Sequence, residues 1–142
     1  MPFWSHNIMR DLQVTYMAKE DGMGNAVVWF EVVGKDGGKL RKFYTELFGW
    51  KIDPAQGDMD YGLVAANGGI AGGVGESQDG GPGHVTFFVE VEDPKAYLAK
   101  AEKLGGKTVV PPMEIPNYNL TFAYFTDPQG HLIGLSKGAV QS

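Results

Sequence analysis

Alternating apolar and polar residues predict a strand at residues 84–91. One side of this strand is apolar and carries Val85, Phe87, Val89 and Val91. The other side carries His84, Thr86, Phe88 and Glu90. Asp93 then suits a helix N-cap and Pro94 the first helical position, while Gly105 suits the end of the helix. The pattern therefore predicts a strand that leads directly into a helix at 94–103.

The same pattern occurs earlier in the chain. A strand at 27–33 places Trp29 and Glu31 on one face, and Asp36 caps a helix predicted at 37–47 that Gly49 closes. Further strands are predicted at 49–54, 58–66 and 70–74, and again at 107–115, 120–126 and 131–137. The chain is thus interpreted as two β-α-β-β-β modules, at about 26–76 and 84–138.

Three local features of the sequence lead to further structural predictions. Pro111 and Pro112 are expected to bend or end the strand at 107–115, and residues 111–119 to form a loop long enough to cover a cleft. One of Phe122 and Tyr124 is expected to face a helix. The helices are expected to bury their larger apolar residues on the sheet: Phe43, Tyr44, Leu47, Phe48, Tyr97, Ala101 and Leu104. Phe30, Phe87 and Val89 are expected to pack under the helices, on the face opposite Trp29 and Phe88.

Residues 1–25 precede the first module and are interpreted as an N-terminal extension. Residues 12–18 alternate and are either an extra strand or part of a loosely attached tail. Phe3 and Trp4 favour docking on the domain or on a partner subunit, because a solvated tail rarely carries such residues.

Composition limits the classes of function. A length of 142 residues suits one domain, and a net charge of −5 argues against nucleic acid as a partner, since phosphate binding needs basic patches. The absence of cysteine excludes disulfides, thiol catalysis and cysteine metal sites. No apolar run approaches the roughly 18 residues that would span a membrane, and no signal peptide is recognised. A soluble, cytoplasmic protein is expected.

Several motifs together resemble the vicinal oxygen chelate superfamily, which includes glyoxalase I, bleomycin-resistance proteins and extradiol dioxygenases. They are Val-Trp-Phe-Glu-Val at 28–32, Phe-Tyr-Thr-Glu-Leu-Phe-Gly-Trp-Lys at 43–51, Gly-Gly-Ile-Ala-Gly-Gly at 68–73, Leu-Gly-Gly-Lys at 104–107, Pro-Pro-Met-Glu-Ile-Pro at 111–116 and Phe-Thr-Asp-Pro-Gln-Gly-His-Leu-Ile-Gly-Leu at 125–135. The resemblance covers about 26–138. It implies an α+β fold in which two βαβββ modules form an open, eight-stranded, barrel-like cleft.

The resemblance also implies where a metal would bind. Metal-dependent members place ligands on the first and last strands of each module, which here correspond to Trp29, Thr86, Gly134 and the segment 71–73. None of these residues is a good ligand, and a divalent ion needs three or four. No metal and no cofactor is therefore expected.

The remaining candidates line the expected cleft. Glu31 is a tentative catalytic base, with a partnered structural glutamate as the alternative. His84 either borders the cleft or lies at its rim. Ligand-binding residues are expected to be Trp29, Thr86, Phe88, His84, Tyr118, Tyr61 and Gly134, and Gly72, Gly73 and Gly134 are expected to leave room for a ligand. His131 is expected at the surface.

Two functions fit these expectations. The first is a bleomycin-resistance-like protein that binds a small organic molecule in an apolar cleft without metal. The alternative is a glyoxalase-related lyase or isomerase that acts on a small substrate. A homodimer is expected, with residues 12–18 contributing to the contact, because an open barrel leaves strand edges to cover.

Overall fold

The computed structural model describes residues 24–55 and 60–138. The first half contains β1 (Val27–Gly34), α1 (Gly37–Phe48), β2 (Ile52–Pro54), β3 (Tyr61–Val64) and β4 (Gly72–Glu76). The second half contains β5 (His84–Glu90), α2 (Pro94–Lys103), β6 (Lys107–Ile115), a 3₁₀ turn (Pro116–Tyr118), β7 (Leu120–Thr126) and β8 (Leu132–Gly138). The β-α-β-β-β order thus occurs twice, as the sequence predicts.

The eight strands form one mixed sheet in the order β2-β3-β4-β1-β5-β8-β7-β6. The two modules meet at its centre, where β1 pairs antiparallel with β5. Within each module the first and last strands are parallel, β1 with β4 and β5 with β8. The sheet does not close on itself, which confirms the predicted α+β fold with an open, eight-stranded arrangement.

The helix ends follow the predicted capping chemistry. The side chain of Asp36 accepts a hydrogen bond from the backbone N–H of Lys39 at 3.0 Å, and Asp93 accepts one from Ala96 at 3.2 Å. Gly49 ends α1 in the left-handed conformation at φ 71°, where a side chain would be strained. These caps fix where each helix begins and, at Gly49, where α1 ends.

The face that α1 turns to the sheet differs from the prediction. Phe43, Leu47 and Phe48 are each more than half exposed. The buried side begins at Gly37 and continues through Tyr44, whose ring stacks on Trp50 with centroids 5.3 Å apart. The expected burial of Phe43, Leu47 and Phe48 is therefore wrong. Phe43 and Leu47 turn away from the face of Gly37 and Tyr44. Phe48 lies on that face but at the end of the helix, where its ring contacts Tyr44 and Trp50 and stays more than half exposed.

Helix α2 shows the same kind of difference. Leu98 packs into a buried cluster with Val91, Ala123 and Leu135, whereas Tyr97 and Leu104 are exposed. The expected burial of Tyr97 and Leu104 is therefore wrong, and the buried residue is Leu98. The four-residue step from Pro94 to Leu98 places Leu98, rather than its neighbours, against the sheet.

The outer face of β5 is less covered than predicted. Phe87 is 40% exposed and Val85 more so, although both lie on the helix side of the sheet. Helix α1 packs on β4 and β1, and α2 packs on β6, β7 and β8, so neither lies over β5. The side chains of Val85 and Phe87 are thus left between the two helices.

The two prolines at 111–112 lie within β6 and do not end it. Strand β6 is at the edge of the sheet, where a missing N–H is tolerated. The disturbance appears instead as register shifts between Thr108 and Val110 and between Val110 and Met113. The segment 111–119 is the end of β6 and the 3₁₀ turn, so the expected covering loop is absent.

Some predictions concern residues outside the described ranges or are not tested by the fold. The proposed strand at 12–18, and the homodimer contact assigned to it, lie outside the described residues and stay predictions, as does the division at residue 25. Across 24–55 and 60–138, none of the helices has the length and apolar character needed to cross a membrane.

Candidate functional site

The side chains opposite the helices form a concave face at the centre of the sheet. In the β1–β5 register, Trp29 lies opposite Phe88 and Glu31 opposite Thr86. This concave face carries Trp29, Glu31, Tyr61, His84, Thr86, Phe88, Phe122 and Tyr124. Tyr124 on β7 hydrogen bonds to Glu31 on β1, three strands away, which is roughly 14 Å in a flat sheet. The sheet must therefore curve around Glu31.

Glu31 is the centre of a buried hydrogen-bond network. Its residue is 6% exposed. The Tyr61 hydroxyl donates to Oε1 at 2.8 Å, the Tyr124 hydroxyl donates to Oε2 at 2.5 Å, and Nε2 of His84 lies 2.6 Å from Oε2. An ionised carboxylate only accepts hydrogen bonds, so Nε2 of His84 carries the hydrogen in this bond. Three donors from three strands thus hold one buried carboxylate.

Aromatic side chains surround this carboxylate. The indole Nε1 of Trp29 donates to the Tyr61 hydroxyl at 3.1 Å, which extends the network to a fifth residue. The Tyr124 ring contacts His84, Phe88 and Phe122, with centroids 5.5, 5.3 and 5.7 Å apart. Phe122 and Tyr124 therefore share the concave face, and the expectation that one of them faces a helix is wrong, since residues two apart on a strand point the same way.

Both tyrosines are held in their protonated form. Burial raises the pKa of Tyr61 and of Tyr124 well above the ordinary value, and the negative charge of Glu31 raises both further. A neutral hydroxyl can donate a hydrogen bond, whereas a tyrosinate next to Glu31 would repel it. The network therefore keeps two O–H donors directed at the carboxylate across the physiological pH range.

The glycines of the last strands do not leave open space. A Cβ atom on Gly73 would lie 1.9 Å from the Tyr61 hydroxyl, and one on Gly134 would lie 2.3 Å from the Phe88 ring. Gly72 faces the other way, towards Phe30. The expectation of room at these three positions is therefore wrong, because aromatic side chains from neighbouring strands fill it.

The positions where the resemblance implies metal ligands do not fit a metal ion. Gly73 lies beside Glu31 on β1 as Gly134 lies beside Phe88 on β5, so Gly73 is the counterpart of Gly134 in the first module. The Thr86 hydroxyl donates to the backbone carbonyl of Leu132 at 2.5 Å. Among the residues that the structure describes, no three His, Asp or Glu side chains form a group that could hold a metal.

The structure places most of the predicted residues on one face of the sheet. Trp29, Glu31, Tyr61 and His84 are joined by hydrogen bonds, and Thr86 and Phe88 adjoin them on β5. Gly134 lies under the Phe88 ring. Tyr118 lies in the 3₁₀ turn between β6 and β7. His131 is exposed, as predicted, and bonds to Asp127 at 3.0 Å.

Tyr124 belongs to the Glu31 network although it is not among the ligand-binding residues predicted from the sequence. The alternation of residues along β7 already indicates that Tyr124 shares one face with Phe122, while Ala123 occupies the buried position on the other face. Only the three-dimensional curvature shows that the Tyr124 hydroxyl reaches Glu31.

Comparisons with known proteins agree with this architecture. Residues 26–135 match the family model of the Glyoxalase/Bleomycin resistance protein/Dioxygenase superfamily. The protein CFP32 of Mycobacterium tuberculosis (strain CDC 1551 / Oshkosh) is 28% identical over 115 residues, covering 75% of this chain and 43% of CFP32. The anthracycline biosynthesis protein DnrV of Streptomyces peucetius is 30% identical over 125 residues, covering 74% of this chain and 44% of DnrV. The chain thus spans less than half the length of these curated relatives.

Solved structures share the fold at lower identity. Methylmalonyl-CoA epimerase from Mycobacterium tuberculosis superposes with a TM-score of 0.59 at 14% identity, covering 80% of this chain and 87% of the epimerase. At this identity the similarity is one of fold, and it places the eight-stranded sheet in a known architecture.

Proposed function

Since this chain belongs to the Glyoxalase/Bleomycin resistance protein/Dioxygenase superfamily, we propose that its concave face binds a small organic molecule without a metal at the family's ligand positions. The observation that supports this most is the Glu31 network, in which a buried carboxylate is held by three donors and walled by aromatic rings. Ligand pockets are typically apolar and aromatic, with a few placed polar groups that fix the orientation of the ligand.

The roles within this proposal follow from the contacts. Trp29 supplies apolar ring surface, whereas Phe88 is buried and supports the Tyr124 ring. His84, whose side chain is 27% exposed, is the member of the network that a ligand can reach. Glu31 accepts three hydrogen bonds, and a carboxylate can accept about four, so it positions the donors more than it offers itself to a ligand. Tyr61 and Tyr124 keep the carboxylate in place.

The proposal is tested by a thermal-shift screen of small aromatic compounds, because a ligand that binds only the folded state raises the melting temperature. The panel includes anthracyclines, since one relative is named an anthracycline biosynthesis protein. Compounds that bind are then compared on Trp29→Phe and Trp50→Phe. Both variants lose one indole, but Trp50 packs behind the sheet with Phe30 and Tyr44.

Only Trp29→Phe is expected to weaken binding, by roughly ten-fold, which is a typical effect for one aromatic contact of about 1–1.5 kcal/mol. Equal effects of both variants would place the ligand elsewhere. Excess chelator is expected to leave the melting temperature and the affinity unchanged. A loss on chelation that zinc or nickel reverses would contradict metal-free binding.

A second function is favoured by one contact, the 2.6 Å bond between His84 Nε2 and Glu31 Oε2. A carboxylate that holds Nε2–H leaves Nδ1 with a lone pair and stabilises the imidazolium that forms when Nδ1 takes a proton. His84 then acts as a general base that removes a proton next to a carbonyl group. This is the isomerase or lyase alternative.

Exchange of the acidic proton of methylmalonyl-CoA in deuterated water tests this alternative, because a fold neighbour is an epimerase of that compound. The wild type is expected to catalyse exchange, His84→Gln to lose it by about 10²–10⁴-fold, and the exposed control His131→Gln to retain it. Exchange that survives in His84→Gln would exclude His84 as the base.

A further inference from the structure

His84 has a hydrogen-bonding atom that the Glu31 network leaves unused. Its Nε2 is bonded to Oε2 of Glu31 at 2.6 Å, whereas its Nδ1 forms no hydrogen bond with any described residue. Within the described ranges, Oγ of Ser136 is the only buried side-chain nitrogen or oxygen without a partner, so the unpaired Nδ1 of His84 keeps accessible surface. The His84 side chain as a whole is 27% exposed. A ligand on the concave face can therefore reach this nitrogen.

The N–H and O–H groups of the network are all directed inward. The hydroxyls of Tyr61 and Tyr124 donate to Glu31. The Nε2–H of His84 also donates to Glu31, and the Nε1–H of Trp29 donates to the Tyr61 hydroxyl. Each of these groups has a single hydrogen, so none is left to donate to a ligand. The Glu31 network thus offers a ligand acceptors and no donors.

The free nitrogen of His84 selects the polar group of the ligand. Because the hydrogen of the neutral imidazole is at Nε2, Nδ1 carries a lone pair and accepts one hydrogen bond. An ammonium group has three donors, and one acceptor would leave two of them unpaired among aromatic rings. A carboxylate brings only acceptors, and its charge would be repelled by that of Glu31. A hydroxyl brings one donor, which matches the one acceptor.

The rings beside His84 indicate what carries that hydroxyl. The Tyr124 ring lies edge-on to the imidazole, with centroids 5.5 Å apart, and the Phe122 ring adjoins Tyr124 at 5.7 Å. Both rings are half-buried, so part of each is open to the concave face. Aromatic side chains pack well against other aromatic rings in edge-to-face or offset arrangements. A planar aromatic compound therefore suits the surface next to Nδ1.

We propose that the small molecule bound by the concave face is a phenol, whose O–H group donates to Nδ1 of His84 while its ring lies against Tyr124 and Phe122. Glu31 is a positioning residue in this contact, because its bond to Nε2–H keeps Nδ1 as the acceptor. This inference rests on the proposed small-molecule function and names the class of ligand for that same site.

Three probes with one ring system test the need for a donor. Naphthol, methoxynaphthalene and naphthoate, substituted at the same ring carbon, present a hydroxyl donor, an ether without a donor and a carboxylate. Affinities are measured by calorimetry at pH 8, where free imidazole is neutral and a phenol keeps its proton. Naphthol is expected to bind at least about five-fold more tightly than methoxynaphthalene, the effect of one hydrogen bond, and naphthoate to bind most weakly.

The same substitution at two histidines tests the acceptor. His84→Phe keeps a planar ring and removes Nδ1, so naphthol and methoxynaphthalene are expected to bind equally to this variant. His131→Phe is the matched control, because the His131 side chain is 73% exposed and lies in the turn before β8. It should keep the five-fold preference for naphthol. A preference that survives in His84→Phe would exclude Nδ1 as the acceptor.

Nuclear magnetic resonance of the imidazole nitrogens tests the contact in the wild type, so the inference does not depend on the folding of His84→Phe. The chain has three histidines, and His6→Gln and His131→Gln assign the other two. A nitrogen with a lone pair gives a signal that moves upfield when it accepts a hydrogen bond. The Nδ1 signal of His84 should move upfield with naphthol and stay in place with methoxynaphthalene. Equal movement with both probes would refute the bond.

The outcomes separate this inference from the proposal on which it rests. If naphthol and methoxynaphthalene bind equally and both depend on Trp29, the donor requirement fails and small-molecule binding stands. If naphthoate binds most tightly, the site donates rather than accepts, and the phenol inference is refuted. If none of the three probes binds, the inference also fails, whereas the proposed function is decided by the broader thermal-shift screen.

Discussion

Replacing Tyr124 with phenylalanine removes one of the three donors to Glu31 and leaves the ring in place. The lost bond joins a hydroxyl to a carboxylate oxygen at 2.5 Å, and hydrogen bonds to charged groups contribute about 1.5–3 kcal/mol. Glu31 is nearly inaccessible, so water cannot readily replace the hydroxyl. We therefore expect Tyr124→Phe to lower the free energy of unfolding by about 1.5–3 kcal/mol.

Urea unfolding at pH 7, followed by circular dichroism, measures this loss. Tyr97→Phe is the matched control, because its hydroxyl meets Asn25 at only 3.5 Å on the surface, and it should change the free energy of unfolding by less than about 0.5 kcal/mol. In a Glu31→Gln background the effect of Tyr124→Phe should shrink by at least half, since the charged acceptor is gone.

Either of two results would refute this account of the network. The first is a loss below about 0.5 kcal/mol for Tyr124→Phe, which would mean that the bond is not made in solution. The second is an equal loss with and without the Glu31 carboxylate, which would mean that the hydroxyl acts through another neighbour.

Two further predictions concern alkaline pH and the outer face of β5. The folded-state pKa values of Tyr61 and Tyr124 are raised above the unfolded value near 10, so the stability that these tyrosines contribute is present below pH 10 and is lost above it. The free energy of unfolding should fall by up to about 1.4 kcal/mol per pH unit for each tyrosine. Urea unfolding measured at several pH values between about 10 and 11.5 should show this slope roughly halved in Tyr124→Phe. Phe87→Ala should lower the free energy of unfolding by only about 1–2 kcal/mol, below the roughly 3–5 kcal/mol typical of a fully buried phenylalanine, because Phe87 is 40% exposed. If urea unfolding shows a larger loss for Phe87→Ala than for Leu98→Ala, that exposure is contradicted.

The elements of the fold were predictable because their signals are local. The alternation at 84–91 and the sequence Asp93–Pro94 fix a strand and a helix start within about ten residues. The occurrence of the same pattern around Asp36 then predicts the module at about 26–76. Each of these features depends on neighbours along the chain and needs no knowledge of the rest of the fold.

The exposed side of α1 was not predictable in the same way. Phe43, Leu47 and Phe48 are as apolar as a buried stripe, and periodicity alone does not say which side of a helix rich in apolar residues meets the sheet. The choice is made by tertiary contacts such as the stacking of Tyr44 on Trp50.

The site was predictable in its parts and not in its connections. The sequence places Trp29 and Glu31 on one face, since they are two residues apart on a strand. The bonds from Tyr61, His84 and Tyr124 to Glu31 span 30 to 93 residues and depend on sheet curvature. Alternation along β7 alone predicts that Phe122 and Tyr124 share a face. The expectation that one of them faces a helix therefore contradicted the sequence pattern itself.

The Phe88 ring beside Gly134 also constrains how this chain can evolve. A glutamate at position 134, one of the positions where the resemblance implies a metal ligand, would collide with that ring when introduced alone. Shortening Phe88 alone would open a cavity in the core, at a cost of roughly 3–5 kcal/mol. Each change is therefore expected to destabilise the protein by itself, and the two together are expected to cost less than the sum of the two, because the shortened side chain at position 88 leaves room for the longer one at position 134.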